Sequence, residues 1–259
     1  MNDYLIGDAT SSFSISQLRV GLWPILATIA LGFVVILPGG IAAGWVMHRI
    51  GVDRSMAMPW LARYVADVVM LVLATLLIAW LGRGRFAEYG FAWPENKSYV
   101  LPAIAWGASF GVVMTLVDYF PQIIAHAAPT DYQPLSASNI AGWLSFEGIF
   151  VGFGEEIAFR GLLQTFLMQR TSGRIRFLRY DMHIAGVILA FLFALAHITS
   201  FWTQPLPYAL GQQVYGFALG ILYAYWREKS GSLLAPILGH NFSDGVEYPL
   251  IFLMMWAWR

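Results

Sequence analysis

Long apolar runs constrain the fold of this chain more than any other feature of its sequence. Stretches of about 20 residues with few charged side chains recur from residue 21 onward, and a helix of that length spans a bilayer. Charged residues make up 12% of the 259 residues, whereas soluble domains carry about 25%. We therefore predict an all-α fold, a polytopic transmembrane helical bundle.

About eight membrane spans fit the hydropathy pattern. The predicted spans are residues 21–47, 60–82, 99–118, 139–168, 182–200, 207–226, 232–243 and 246–258. The last two are short, and the sequence between them leaves open whether they form one broken helix or two. The first run is too long for the apolar part of a signal peptide, so it is predicted to be a retained span.

Basic residues predict the orientation of the spans. The loop after the fourth span carries Arg170, Arg174, Arg176 and Arg179, and the loops after the second and sixth spans are also basic. The loops after the third and fifth spans contain no Lys or Arg. This alternation predicts an integral membrane protein with both termini cytoplasmic. The short chain, in which no extra domain is recognised, favours a bacterial inner membrane. Arg49 and Arg54 do not fit that orientation.

Composition also excludes several classes of function. The formal net charge is zero, so no basic surface for nucleic acid is indicated. The chain has no cysteine, which rules out disulfides, thiolate metal ligands and a cysteine nucleophile.

Two adjacent carboxylates, Glu155 and Glu156, lie inside the apolar fourth span. A charged side chain at the centre of a bilayer costs about 2.5–3.5 kcal/mol or more, so an acid there is a functional-site hypothesis. Neighbouring residues on a helix point about 100° apart. Arg160 is four residues after Glu156, a spacing that predicts an ion pair within the helix and leaves Glu155 as the freer acid.

Two histidines in later spans are predicted to lie at a similar depth. At 1.5 Å per helical residue, Glu155 and His197 each lie about 22 Å from the basic ends of their spans, and His240 lies about 15 Å from its own. A carboxylate and an imidazole at one depth can share a water and shuttle its proton. Asp244 follows His240 by one helical turn on the same face, and Asn241 next to His240 can donate a hydrogen bond.

Three sequence blocks together resemble the CPBP family, which includes CAAX prenyl endopeptidases and bacteriocin-processing (Abi) membrane proteins. Glu155 to Gly161 resembles the family's E-E-x-x-x-R block, and Phe193 to His197 resembles its F-x-x-x-H block. Ser230 to His240 resembles the approach to its H-x-x-x-N block. The resemblance covers about residues 140–245 and departs at Asp244, where the family usually has Asn.

The resemblance implies N-terminal spans with a linking loop in residues 1–138 and a catalytic membrane core in residues 139–259. It implies an intramembrane endopeptidase acting on a membrane-embedded or lipidated peptide. Glu155 and His197 would activate water and His240, with Asp244, would stabilise the oxyanion. Glu156, Arg160, Phe193 and Asn241 would hold and tune these groups.

The residue types leave the need for a metal open. Glu155, His197 and His240 would suit zinc, and the same side chains suit a carboxylate–imidazole base without metal. Asp244 favours a cation slightly; its other readings are a protonated acid or a group that orients His240.

Two further functions stay open at the level of sequence. One is a non-catalytic scaffold or bacteriocin-immunity protein of the same fold. The other is a proton-coupled transporter, because buried Glu and His also build proton relays.

Overall fold

A computed structural model describes residues 13–94, 97–129, 135–178 and 180–258, and it shows a helical bundle with a small sheet at one end. Arg179, which contributed to the orientation argument, lies outside the described residues. The elements, in chain order, are β1 (Phe13–Arg19), α1 (Leu22–Ile50), α2 (Val52–Ala57), α3 (Trp60–Leu81), a 3₁₀ turn (Phe86–Tyr89), α4 (Val100–Asp118), α5 (Phe120–Ala125), α6 (Ala137–Ser145), a first π-helical segment (Phe146–Phe150), α7 (Val151–Glu156), a second π-helical segment (Ile157–Gln164), α8 (Thr165–Met168), β2 (Ser172–Phe177), β3 (Tyr180–His183), α9 (Ile184–Ala196), α10 (Ser200–Thr203), α11 (Leu206–Ser230) and α12 (Leu234–Ala257).

The described helices confirm an all-α membrane bundle, but not eight spans. Four helical stretches are long and apolar enough to cross a membrane: Leu22–Ile50, Trp60–Leu81, Val100–Asp118 and Ile184–Thr203. Their outer faces expose large apolar side chains, such as Ile41 at 73% and Leu101 at 78%. Extensive apolar exposure of this kind suits contact with lipid. The continuous stretch α6–α8, α11 and α12 are also long, but polar residues or π-helical segments interrupt them.

The predicted spans at 232–243 and 246–258 form one helix, α12. Gly245 lies within it and does not break it. A Cβ at Gly245 would lie 2.9 Å from the Cα of Gly148, so this glycine allows α12 to cross the first π-helical segment closely. Of the two alternatives that the sequence left open, one helix or two, the structure shows one helix.

The two ends of the described chain lie on opposite faces of the bundle. β1 pairs with β2, beside the Arg-rich loop after α8. Trp258 stacks on His126, just after α5, with ring centroids 5.8 Å apart. α12 starts beside Gly90 and ends beside α5, so it runs from one face of the described bundle to the other.

A three-stranded antiparallel sheet in the order β1-β2-β3 covers one end of the bundle. The all-α prediction missed it. Arg174 of β2 forms ion pairs with Asp181 of β3 at 2.7 Å and with Glu228 of α11 at 2.5 Å. The second pair attaches the sheet to α11. His183 ends the sheet and caps α9, because its Nδ1 accepts from the backbone N–H of Ala185 at 3.1 Å. Burial lowers the pKa of His183 below its ordinary value.

The short helix α7, which carries Glu155 and Glu156, lies between the two π-helical segments. π-helical insertions are rare and often occur at functional sites. Asn241 of α12 holds the first one: its Nδ2 donates to the carbonyl of Ile149 at 2.8 Å, and its Oδ1 accepts from the N–H of Gly152 at 2.8 Å. The amide of Asn241 thus locks α12 against the helix that presents the acids.

Candidate active site

Glu156 is fully buried and forms the intrahelical ion pair that the spacing predicted. Its Oε1 accepts from Arg160 Nη1 at 3.1 Å, and the two side chains are 0% and 1% exposed. Glu155 points elsewhere, is 20% exposed and lines the central cavity. Its Oε2 has no hydrogen-bond partner among the described residues. The adjacent acids therefore occupy different environments, one structural and one open to a ligand or water.

His240 connects the two acids. Its Nδ1 lies 2.8 Å from Oε1 of Glu156, and its Nε2 lies 3.3 Å from Oδ2 of Asp244 and 3.9 Å from Oε2 of Glu155. A carboxylate accepts hydrogen bonds, so Nδ1 donates to Glu156 when that acid is ionised. Tyr223 stacks on the ring with centroids 5.4 Å apart. These contacts fix the ring and aim Nε2 into the cavity.

The contact of His197 with the backbone sets its tautomer. Its Nδ1 lies 2.9 Å from the carbonyl oxygen of Phe193. A carbonyl only accepts hydrogen bonds, so Nδ1 carries the proton, and Nε2 of the neutral ring is left as an acceptor. Phe193 is 3% exposed, and the Arg160 guanidinium lies 4.2 Å from the centroid of its ring. Phe193 thus positions His197 through its backbone and packs on the buried ion pair through its ring.

A cavity of about 380 Å³ brings five predicted site residues together: it is lined by Glu155, Phe193, His197, His240 and Asp244. A second cavity of about 320 Å³ shares Glu155 and His197 with it and extends toward Ile36 of α1. Three other predicted residues, Glu156, Arg160 and Asn241, do not line either cavity. They lie behind the residues that do.

The sequence argument missed Asp67 of α3, which lines both cavities beside Glu155. Asp67 is 7% exposed, and its Oδ2 has no hydrogen-bond partner among the described residues. A Cβ on Gly154 would lie 2.9 Å from that oxygen. Asp67 is an acid within a predicted span, so the rule that singled out Glu155 would also have found it.

The donor set does not match a zinc site. Zinc needs three or four converging protein ligands at about 2.0–2.2 Å for nitrogen and oxygen. Across the described ranges, no three Asp, Glu or His side chains are arranged to hold a metal ion. We therefore derive no chemical step through a metal.

This geometry supplies the elements of general acid–base chemistry. Glu155 offers an unpartnered carboxylate oxygen, His197 offers a free acceptor nitrogen, and His240 is held by Glu156 with its other nitrogen facing the same space. Such groups can take a proton from water and stabilise an anion formed nearby.

Residues 137–246 match the family model described as type II CAAX prenyl endopeptidase Rce1-like. This part of the chain is similar to that family. The match confirms the resemblance inferred from the three sequence blocks, all of which lie within it. The Rce1-like family points to a CAAX-type protease in a membrane. No curated protein and no solved structure compared with the chain matches it.

Proposed function

We propose that this Rce1-like protein is an intramembrane endopeptidase that hydrolyses a peptide bond with Glu155 as the base. The observation that carries the proposal is the unpartnered Oε2 of Glu155, which shares one cavity with Nε2 of His197 and Nε2 of His240. Similarity to that family supports the reaction class. Residues 139–259 would form the catalytic core, although the cavity also takes Arg63 and Asp67 from α3.

In the proposed reaction, Glu155 removes a proton from a water that also bonds Nε2 of His197. The hydroxide attacks the carbonyl carbon of the scissile amide and forms a tetrahedral oxyanion. His240 in its doubly protonated form donates from Nδ1 to Glu156 and from Nε2 to the oxyanion. Glu155 then returns the proton to the leaving amine as the C–N bond breaks. Glu156 and Arg160 act by positioning His240.

We propose that this reaction proceeds without a metal. This choice is supported because no three Asp, Glu or His side chains among the described residues are arranged to hold a metal ion. Purified protein should keep its activity in excess chelator, and loss of activity that stoichiometric zinc restores would contradict it.

We propose that the substrate is a membrane-embedded or lipidated peptide. The second cavity supports this choice because it reaches α1, whose other faces carry exposed apolar residues. A lipid-linked chain would enter from that side.

We propose that the sheet face of the bundle is cytoplasmic and that the C-terminus lies on the other side of a bacterial inner membrane. The basic loops on the sheet face support this orientation. Because the chain has no cysteine, single substitutions at two exposed alanines, Ala87→Cys and Ala127→Cys, report each face without background. In intact cells, a membrane-impermeant maleimide should label only Ala127→Cys. Labelling of only Ala87→Cys would reverse the orientation.

The proposed function is tested by comparing protein termini in membranes of cells that make wild type or Glu155→Gln. Glu88→Gln is the matched control, because it makes the same chemical change at an exposed site outside the cavities. New termini should appear with wild type and Glu88→Gln and be absent with Glu155→Gln. Identical termini in all strains, at equal protein abundance, would refute proteolysis.

A scaffold is the second candidate function, and Asp244 favours it. Its Oδ2 lies 3.3 Å from Nε2 of His240, where it would compete with an oxyanion for the same donor. A scaffold would keep its cellular function in Glu155→Gln, whereas a protease would lose it.

A further inference from the structure

The central cavity extends past His240 into a second group of acids that the proposed reaction does not use. Asp118 of α4, Glu147 of the first π-helical segment and Glu247 of α12 line this part. We call these three residues the acidic compartment. Glu247 interacts electrostatically with Asp118 and Asp244, and Glu147 interacts with Asp244. The compartment is therefore continuous with the catalytic groups.

Carboxyl groups far outnumber basic side chains of fixed charge in this cavity. Across the described ranges, the lining includes six carboxylates, namely Asp67, Asp118, Glu147, Glu155, Asp244 and Glu247, and one basic side chain of fixed charge, Arg63. Carboxylates crowded away from water either take up protons or pair with a cation. The cavity is thus built to favour a cationic occupant.

A separate observation also points to a ligand. Asp67, which is 93% buried, lines the cavity, and its Oδ2 has no hydrogen-bond partner among the described residues. Buried polar atoms are rarely left unpaired, and an exception calls for a missing partner. A donor brought by a substrate would supply it.

Aromatic rings make an organic cation the better fit. Trp143 and Tyr248 stack with ring centroids 5.0 Å apart and line the cavity beside Glu147. Tyr215 donates to Oδ1 of Asp118 at 3.3 Å. Carboxylates combined with aromatic faces recognise ammonium and guanidinium groups. No three of the acids are arranged as metal ligands in the part of the chain that the structure describes.

We propose that the acidic compartment binds a lysine or arginine side chain of the substrate close to the scissile bond. This inference rests on the proposed proteolytic function and adds a substrate class to it. Glu247 follows His240 by seven residues on α12, which is about 10 Å along the helix. An extended peptide covers about 3.3 Å per residue, so the basic residue lies within three residues of the bond that is cut.

The first test examines the sequences around the new protein termini that appear with wild type and not with Glu155→Gln. Lys or Arg should be enriched within three residues of those cleavage sites, relative to the membrane proteins that are not cut. If no such termini exist, the proteolytic function fails. If termini appear without this enrichment, proteolysis stands and the inference is refuted.

The second test uses purified wild-type protein in liposomes and a peptide made from one such cleavage site. Replacing its basic residue with Gln should lower kcat/KM at least tenfold for wild type and for the Glu88→Gln control. For the double variant Glu147→Gln/Glu247→Gln, the two peptides should be cut within threefold of each other. An equal preference for the basic peptide in wild type and in the double variant would refute the assignment.

A binding measurement separates recognition from folding of the variant. The Glu155→Gln protein should bind the basic peptide at least tenfold more tightly than the Gln peptide, with high salt reducing the difference. Equal binding of the two peptides would refute the inference even if Glu147→Gln/Glu247→Gln fails to fold.

Discussion

Replacing Arg160 with Met should destabilise the protein strongly, because it leaves a carboxylate buried without its cation. Arg160 is 1% exposed and bonds Glu156, which is 0% exposed, at 3.1 Å. Met is unbranched, shorter than Arg and uncharged. His240 would be the remaining hydrogen-bond partner of Glu156, and the guanidinium would no longer lie over the ring of Phe193.

The expected loss follows from the burial of the pair. Removing one partner of a buried ion pair costs about 3–5 kcal/mol, because the other charge stays out of water. Replacing both partners removes that penalty. We therefore expect Arg160→Met to lower the free energy of unfolding by about 3–5 kcal/mol, and Glu156→Gln/Arg160→Met to lower it by less than half as much.

The assay is reversible unfolding of purified protein in lipid bicelles. Arg85→Met is the matched control, because Arg85 pairs with Glu88 at 2.9 Å one turn away while 64% exposed. An exposed pair contributes about 0–1 kcal/mol, so the control should lose no more than that. The reasoning is refuted if Arg160→Met costs no more than Arg85→Met, or if the double variant is as unstable as the sum of its single changes.

Three further changes test the helix crossing, the departure at Asp244 and the sheet. Gly152→Ala should cost about 1–3 kcal/mol, since its Cβ would lie 2.6 Å from the Ile237 carbonyl oxygen, whereas Gly44→Ala, with nothing within 4 Å, should be neutral or stabilising in the same unfolding assay. Asp244→Asn should keep peptide cleavage within about tenfold of wild type, because an amide still bonds His240 and no longer repels an oxyanion, and Asp244→Leu should lose more than that; the reverse order would contradict the account. The pKa of His183 in the folded state is lower than the unfolded value of about 6.5. The folded state therefore favours the neutral imidazole, and the stability that His183 contributes is full above pH 6.5 and is lost as the pH falls below that value of about 6.5. His183→Asn, which keeps an acceptor for the helix cap, should lose less stability than wild type between pH 7 and pH 5, and equal losses would refute this assignment.

Local spacing and depth predicted much of the candidate site. The i, i+4 relation of Glu156 and Arg160 predicts a contact within one helix, and the structure has it. The similar depths of Glu155, His197 and His240 follow from helical rise, and all three line one cavity. Such contacts are accessible from sequence because helix geometry alone fixes them.

Contacts that depend on the packing of distant segments were not predictable in this way. Nothing in the spacing shows that His240 bonds Glu156 rather than Glu155, because the rotation of α12 about its axis sets that choice. The closeness of Asp67 to Glu155 likewise depends on how α3 packs against α7. β1 pairs with β2 more than 150 positions later in the chain, so the partner of β1 could not be identified from its neighbours in the sequence.

The continuity of α12 was left open by the sequence for a related reason. Gly245 and the polar residues near it weaken the hydropathy signal, so the sequence shows an apparent break. In the bundle, Gly245 permits a close crossing with Gly148 and the polar side chains face the cavity. Residues that serve a buried site reduce the apolar signal of the helix that carries them.

The most direct measurement of the central claim is cleavage of an identified peptide by purified protein in liposomes, with and without the Glu155 carboxylate. Glu155→Gln keeps the size of the side chain and removes the base. General-base catalysis contributes about 10²–10⁴-fold, so kcat/KM should fall by at least a factor of about 100, while the Glu88→Gln control stays at the wild-type value. Cleavage by Glu155→Gln within tenfold of wild type would contradict the assignment of Glu155 as the base.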